Sequence, residues 1–148
     1  MLKVLIAEDE LMIADLLEER LITSGYEVCG IARTVNEAVA LAELHRPDLA
    51  VFDVRLARGD RGPEIVRRLR NAARLGVLYA TGDDPGHSTL TLADGVASIS
   101  KPYRTDDVVH ALAIVREIMT AGTATPPFPP GFRLLPEVAA QSAPAARA

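Results

Sequence analysis

A repeated alternation of short apolar runs and helix-length segments constrains the fold more than any other feature. Residues 3–7, Lys-Val-Leu-Ile-Ala, form an unbroken apolar run of the kind found in strands covered on both faces. Residues 11–24 then set Ile13, Leu16, Leu17 and Leu21 on one helical stripe, with Asp15, Glu18 and Glu19 largely off it. The pair recurs as a strand over 27–33 and a helix over 35–45, where Thr34 and Glu37 have capping-box spacing. It recurs again as a strand over 48–52 ending at Asp53 and a helix over 63–73 opened by Pro63. Residues 77–80 and 96–100 predict two more strands. A last helix over 105–120 is expected to be capped by Thr105, with Asp106 and Asp107 facing its dipole. Only residues 81–97 break the rhythm: Gly82, Asp83, Asp84, Pro85, Gly86 and His87 are loop chemistry, leaving one or two helical turns at most over 88–93. Parallel strands need crossovers, so five strands alternating with helices imply an α/β doubly wound parallel sheet with helices on both faces.

Composition narrows the function. The chain has 148 residues, a formal net charge of −4 and a single cysteine. That length suits one hydrophobic core. The mild acidity argues against a nucleic-acid footprint, which must neutralise phosphates. Cys29 alone permits neither an internal disulfide nor a cysteine zinc site, and His45, His87 and His110 lack metal spacing. No apolar run nears the ~20 residues of a membrane span, and Glu8 arrives too early for a signal peptide. Arg67, Arg68, Arg70 and Arg74 read as a solvated helix face. The pattern ends near residue 121, and six of the ten prolines lie beyond 125. Residues 122–148 therefore read as a stiff, extended Pro/Ala-rich tail after a domain spanning 1–121.

In an open parallel sheet, ligands sit outside the carboxyl ends of the strands. Glu8 and Asp9 follow the first strand, Asp53 ends the third, Thr81 the fourth, and Lys101-Pro102 follows the fifth. Three carboxylates gathered on one rim repel unless a cation holds them. An oxygen-only donor set suits a hard divalent ion, Mg²⁺ foremost, with Mn²⁺ and Ca²⁺ as alternatives. A carboxylate beside such an ion can attack phosphorus, while an ammonium and a hydroxyl hold the other phosphoryl oxygens. Lys101 is one of only two lysines among sixteen basic residues, and a compact ammonium differs from a guanidinium fork.

Glu8-Asp9, Asp53, Thr81 and Lys101-Pro102, in order at successive strand ends, resemble the receiver domain of bacterial two-component response regulators. The resemblance covers residues 2–121. It implies a flavodoxin-like (βα)5 fold with five parallel strands in the order 2-1-3-4-5, the fourth helix here short or irregular. It implies that Asp53 accepts a phosphoryl group and that Asp9, Asp53 and the backbone carbonyl of Arg55 ligate Mg²⁺, with Glu8 acting through water. Lys101 would pair with Asp53 and its phosphate, Thr81 would move its hydroxyl to the phosphate, and the Lys101–Pro102 bond would be cis. The segment Tyr79-Ala80-Thr81-Gly82 further resembles an alphaproteobacterial subgroup with a Phe-Ala-Thr-Gly signature. The family commonly carries Tyr or Phe three residues before the lysine, where this chain has Ser98. The switch is therefore expected in the loop over 82–95, ordered through Thr81, with Arg55 and Asp83 flanking the phosphate entrance.

The resulting expectation is a stand-alone cytoplasmic receiver, a phosphoprotein rather than an enzyme with turnover. Its partners would be a sensor histidine kinase or histidine phosphotransfer protein and a downstream protein. The 27 residues after 121 are too few for an ordinary DNA-binding output domain. The last helix offers a face for a homodimer. Two rival readings stand beside it. One is a Mg²⁺-dependent aspartyl-phosphate phosphohydrolase of the haloacid dehalogenase type, disfavoured because Arg55 stands where that family has its second Asp. The other is a pseudo-receiver that binds partners without phosphorylation, kept open by Ser98.

Overall fold

The apolar runs form strands at the expected places in a computed structural model that describes residues 1–82 and 89–138. In chain order the elements are β1 (Lys3–Ala7), α1 (Leu11–Thr23), β2 (Glu27–Ala32), α2 (Val35–His45), β3 (Leu49–Asp53) and α3 (Gly62–Arg68). There follow β4 (Gly76–Thr81), β5 (Ala97–Ser100), α4 (Thr105–Ala121) and β6 (Phe132–Leu134). The strands form one sheet in the order β2-β1-β3-β4-β5-β6. The first five are parallel, and β6 joins β5 antiparallel.

Strand alternation divides the core into two layers. Leu5, Ala50, Phe52, Val77 and Tyr79 point to the face covered by α2 and α3, through Ala38, Val39 and Ile65. Val4, Ile6, Val51, Leu78 and Ile99 point to the other face, against Leu17 and Leu21 of α1 and Leu112 and Val115 of α4. Both faces of β1, β3 and β4 are thus apolar, which is why these strands read as unbroken runs.

Three expectations need correction. The sheet has six strands rather than five, because the tail is not merely a linker. Gly131 to Leu135 is a proline-free window between Pro130 and Pro136, so the tail can supply backbone N–H groups to a ladder there. α3 stops at Arg68, since Leu69 adopts extended backbone and a single 3-10 turn over Ala72–Arg74 then buries Leu75. Arg104, not Thr105, occupies the N-cap of α4, and no side chain caps it there. In the irregular segment before β5, Thr91, Asp94 and Gly95 make a turn through backbone and Asp94 carboxylate bonds. Asp83, His87 and Ser88, on which several readings fell, lie outside the described residues.

The Thr34 cap is as expected: its hydroxyl accepts from the Glu37 amide at 3.2 Å, and the Glu37 carboxylate accepts from the Arg33 amide at 2.8 Å. The Lys101–Pro102 bond is cis.

Candidate functional site

The sheet delivers the acidic rim as a consequence of register. Ala7 pairs with Phe52, so the residues that follow β1 stand beside the end of β3. Thr81 pairs with Ser100, and the Lys101 amide donates to the Thr81 carbonyl at 2.8 Å, which fixes Lys101 beside the end of β4. Four segments distant in sequence therefore meet on one edge, where a parallel sheet leaves its carboxyl ends open.

Glu8, Asp9 and Asp53 each offer a carboxylate oxygen within 4.8 Å of the others. Glu8 and Asp53 are buried, at 3% and 8% exposure, and Asp9 is half-buried. Lys101 reaches over them, its Nζ 2.8 Å from Asp53 Oδ2 and 3.0 Å from Glu8 Oε1. The Glu10 amide donates to Glu8 Oε2 at 3.1 Å, and the Arg55 amide donates to Asp53 Oδ1 at 3.4 Å. Thr81 is buried at the same edge. Glu8, Asp9, Asp53, Thr81 and Lys101 thus share this one rim, while Asp83 lies outside the described residues.

The electrostatics follow from burial. Desolvation pushes the Glu8 carboxyl up to about 7, and the charge of Asp53 adds to it, against the opposing Glu10 amide and Lys101 ammonium. Burial works to lower Lys101, but hydrogen bonds to Asp53 and Glu8 and their charges outweigh it and hold the ammonium above its ordinary value. The cluster is therefore short of positive charge even with Lys101 in place. An all-oxygen donor set with this deficit suits a hard divalent cation.

Three contributors were not among the predicted site residues. Gly62 packs so closely on the chain that a Cβ there would overlap the Asp53 carbonyl oxygen. Its amide donates to the Val54 carbonyl at 2.9 Å, which closes the loop after Asp53. Tyr103 lies near enough for burial, and then the charge of Glu8, to push its hydroxyl up to about 12. Tyr79 is fully buried, and its hydroxyl donates to the Asp94 carbonyl at 2.8 Å. The glycine could have been suspected from its place after Arg61 at a helix start; the two tyrosines sit beside the motif residues without periodicity of their own.

Residues 4–113 match the response regulator receiver domain. Over 114 residues the chain is 37% identical to the transcriptional regulatory protein PdtaR of Mycobacterium tuberculosis, covering 76% of this chain and 55% of PdtaR. It is 35% identical over 107 residues to the phyllosphere-induced regulator PhyR of Methylorubrum extorquens, covering 72% of this chain and 40% of PhyR. The chain thus spans about half the length of the curated relatives it matches. A CheY-like receiver domain of Methanospirillum hungatei superimposes with a TM-score of 0.71 at 26% identity, over 83% of this chain and 99% of that one. By its matched residues and by this fold, the chain belongs to the response regulator receiver domain family of two-component signalling.

Proposed function

We propose that the chain is a phosphoryl-accepting receiver whose acceptor is Asp53. The observation that carries this reading is the buried Asp53 carboxylate paired with Lys101 at 2.8 Å and gathered with Glu8 and Asp9 within 4.8 Å. A buried carboxylate held in one orientation is positioned to attack phosphorus. The donor would be a phosphohistidine of a sensor kinase or phosphotransfer protein. An Asp53 oxygen forms the new P–O bond while the P–N bond breaks, and the imidazole nitrogen leaves with that electron pair.

Asp53 and Glu8 hold the Lys101 ammonium above its ordinary value, and it can pass from Asp53 to a phosphoryl oxygen. The Thr81 hydroxyl donates to another phosphoryl oxygen from the neighbouring strand. Glu8, Asp9, Asp53 and the Arg55 backbone carbonyl would hold Mg²⁺, which when bound supplies charge neutralisation for the phosphoryl oxygens and the carboxylates. Downstream signalling would run through protein contacts in the cytoplasm, without turnover of a substrate.

The test is incubation of the full chain with beryllofluoride or acetyl phosphate and Mg²⁺, followed by intact-mass and fluorine NMR measurement beside Asp53→Asn. A stable adduct on the parent chain alone supports the proposal. Repeated turnover of phosphate esters would instead mark a phosphohydrolase, and absence of any reaction would mark a binding module that works unphosphorylated.

A further inference from the structure

Arg67, Arg68, Arg70 and Arg74 do not share one helix face, because α3 ends among them. Arg68 donates to Asn36 Oδ1 at 2.6 Å, and Arg67 pairs with Glu64 at 3.5 Å and Asp94 at 3.7 Å. Arg70 and Arg74 lie beyond the helix, where Leu69 turns to extended backbone and a 3-10 turn follows Asn71. With Arg46, the residue after α2, they line a cleft of about 620 Å³ between the end of α2 and the chain leading into β4. Among the described residues, no hydrogen bond or ion pair engages any of these three guanidinium groups.

The cleft has a fixed frame. Ala42, Leu69 and Leu75 give it an apolar floor, with Ala42 and Leu75 buried. Its two sides are tied at the start of the sheet: the Gly76 amide donates to the Asp48 carbonyl at 3.1 Å, and the Asp48 amide to the Lys3 carbonyl at 2.9 Å. Asp48 also lines the cleft, but its Oδ2 already accepts from the Lys3 amide at 2.8 Å. Glu43 is the other acid of the lining and is exposed. Arg46 holds φ +50° and ψ +64°, the left-handed conformation after a helix that glycine adopts without strain. Residues held in such conformations cluster at ligand sites.

We propose that this cleft binds a nucleotide. Guanidinium forks match phosphate oxygens two at a time, and their planar faces stack on aromatic rings. Arg46, Arg70 and Arg74 would take the phosphates and the apolar floor the base. The Glu43 carboxylate would accept from a sugar hydroxyl or a base amino group. The volume falls in the range of small-molecule sites, and the charges face a concavity rather than a flat surface, which favours a small ligand over a protein segment. The cleft lies at the start of β3 and β4 and the acidic rim at their ends, so this site does not depend on whether Asp53 accepts a phosphoryl group.

The test is calorimetric titration of the full chain with ADP, GDP, CDP and UDP, in chelator so that no cation bridges phosphate to the acidic rim. At least one of them should bind, at least about tenfold tighter than its nucleoside or pyrophosphate alone. Arg46→Gly deletes a guanidinium while relaxing the backbone, so it should weaken binding by about tenfold without lowering Tm. Arg70→Gln combined with Arg74→Gln should weaken it at least as much. Arg67→Gln, outside the cleft, and Asp53→Asn, at the proposed acceptor, should both bind as the parent does. Four nucleotides that fail to bind would overturn the proposal. So would binding that survives the Arg46, Arg70 and Arg74 variants, binding lost in Asp53→Asn, or polyglutamate that binds as tightly as the best nucleotide.

Discussion

Replacing Lys101 by alanine should destabilise the metal-free chain strongly and the Mg²⁺-loaded chain much less. The ammonium lies 2.8 Å from Asp53 and 3.0 Å from Glu8, whose side chains are only 10% and 4% exposed. Its removal leaves two buried carboxylates facing each other without a counter-charge, and breaking a buried pair from one side costs about 3–5 kcal/mol. Glu8 recovers part of that by taking up a proton, since its carboxyl already lies up at about 7. The net loss should therefore sit near the lower bound, about 3 kcal/mol, or roughly 6–12 °C in Tm for a chain of this length. A divalent cation bound by the same carboxylates restores the missing charge, so excess Mg²⁺ should recover most of the difference. The assay is thermal unfolding followed by circular dichroism, for parent and Lys101→Ala, with chelator and with Mg²⁺. Lys101→Met separates loss of charge from loss of the aliphatic stem. An equal drop in Tm with and without Mg²⁺ would refute the claim that Lys101 and a cation answer the same charge deficit.

Protons and cations should compete at Glu8: with its carboxyl up at about 7, Mg²⁺ affinity should rise as pH rises through that value. Without metal the sign reverses for folding. The native state binds more protons than the unfolded chain between the ordinary carboxyl value of 4.5 and about 7, so this group's contribution to stability falls as pH rises across that window. Asp53→Asn removes one of the charges raising Glu8 and should bring the Mg²⁺ midpoint and the upper edge of the stability window to lower pH, as Mg²⁺ calorimetry and melting across pH will report. Gly62→Ala should push the Asp53 backbone out of place, costing about 1–3 kcal/mol by overpacking and slowing adduct formation. A parent-like melt and labelling rate would show that the loop yields freely. Tyr79→Phe strips the Asp94 carbonyl of its donor and should cost about 1–2 kcal/mol in denaturant titration, with little change in the slope.

The strands were legible because both faces of β1, β3 and β4 are covered, which leaves unbroken apolar runs with no competing period. The acidic rim was legible for a related reason: Glu8 and Asp53 stand at the abrupt ends of those runs, where the chain leaves the core. β6 was not legible. A three-residue strand has no measurable alternation, and the prolines around it argue for a linker until the β5 edge is in view. The early end of α3 was hidden as well, since Leu69 and Leu75 continue an apolar pattern that a helix and a turn would bury alike. The cap of α4 fell one residue before Thr105, where Arg104 has no side-chain oxygen to offer and so gives no signal.

Ser98 and Tyr79 are register partners on neighbouring strands, and together they explain how aromatic volume is placed in this chain. Ser98 is small and buried, so the bulk on that face comes from Tyr79 of β4. The ring lies between two glycines: a Cβ on Gly62 would lie 3.3 Å from its Cε1, and one on Gly95 2.8 Å from its Cε2. Side chains at either position would press on the ring, which gives both glycines a packing role. The ring is fully buried and its hydroxyl is held by Asp94, so it has neither the room nor the free polar tip that an inward–outward rotation needs. It is instead a fixed wedge between the loop that closes on Asp53 and the turn that precedes β5. Interiors packed at this density transmit displacement rather than absorb it. A shift of the Asp53 backbone therefore bears through Gly62 and Tyr79 on Asp94 and Gly95, and from there on the Val96 carbonyl that holds the tail.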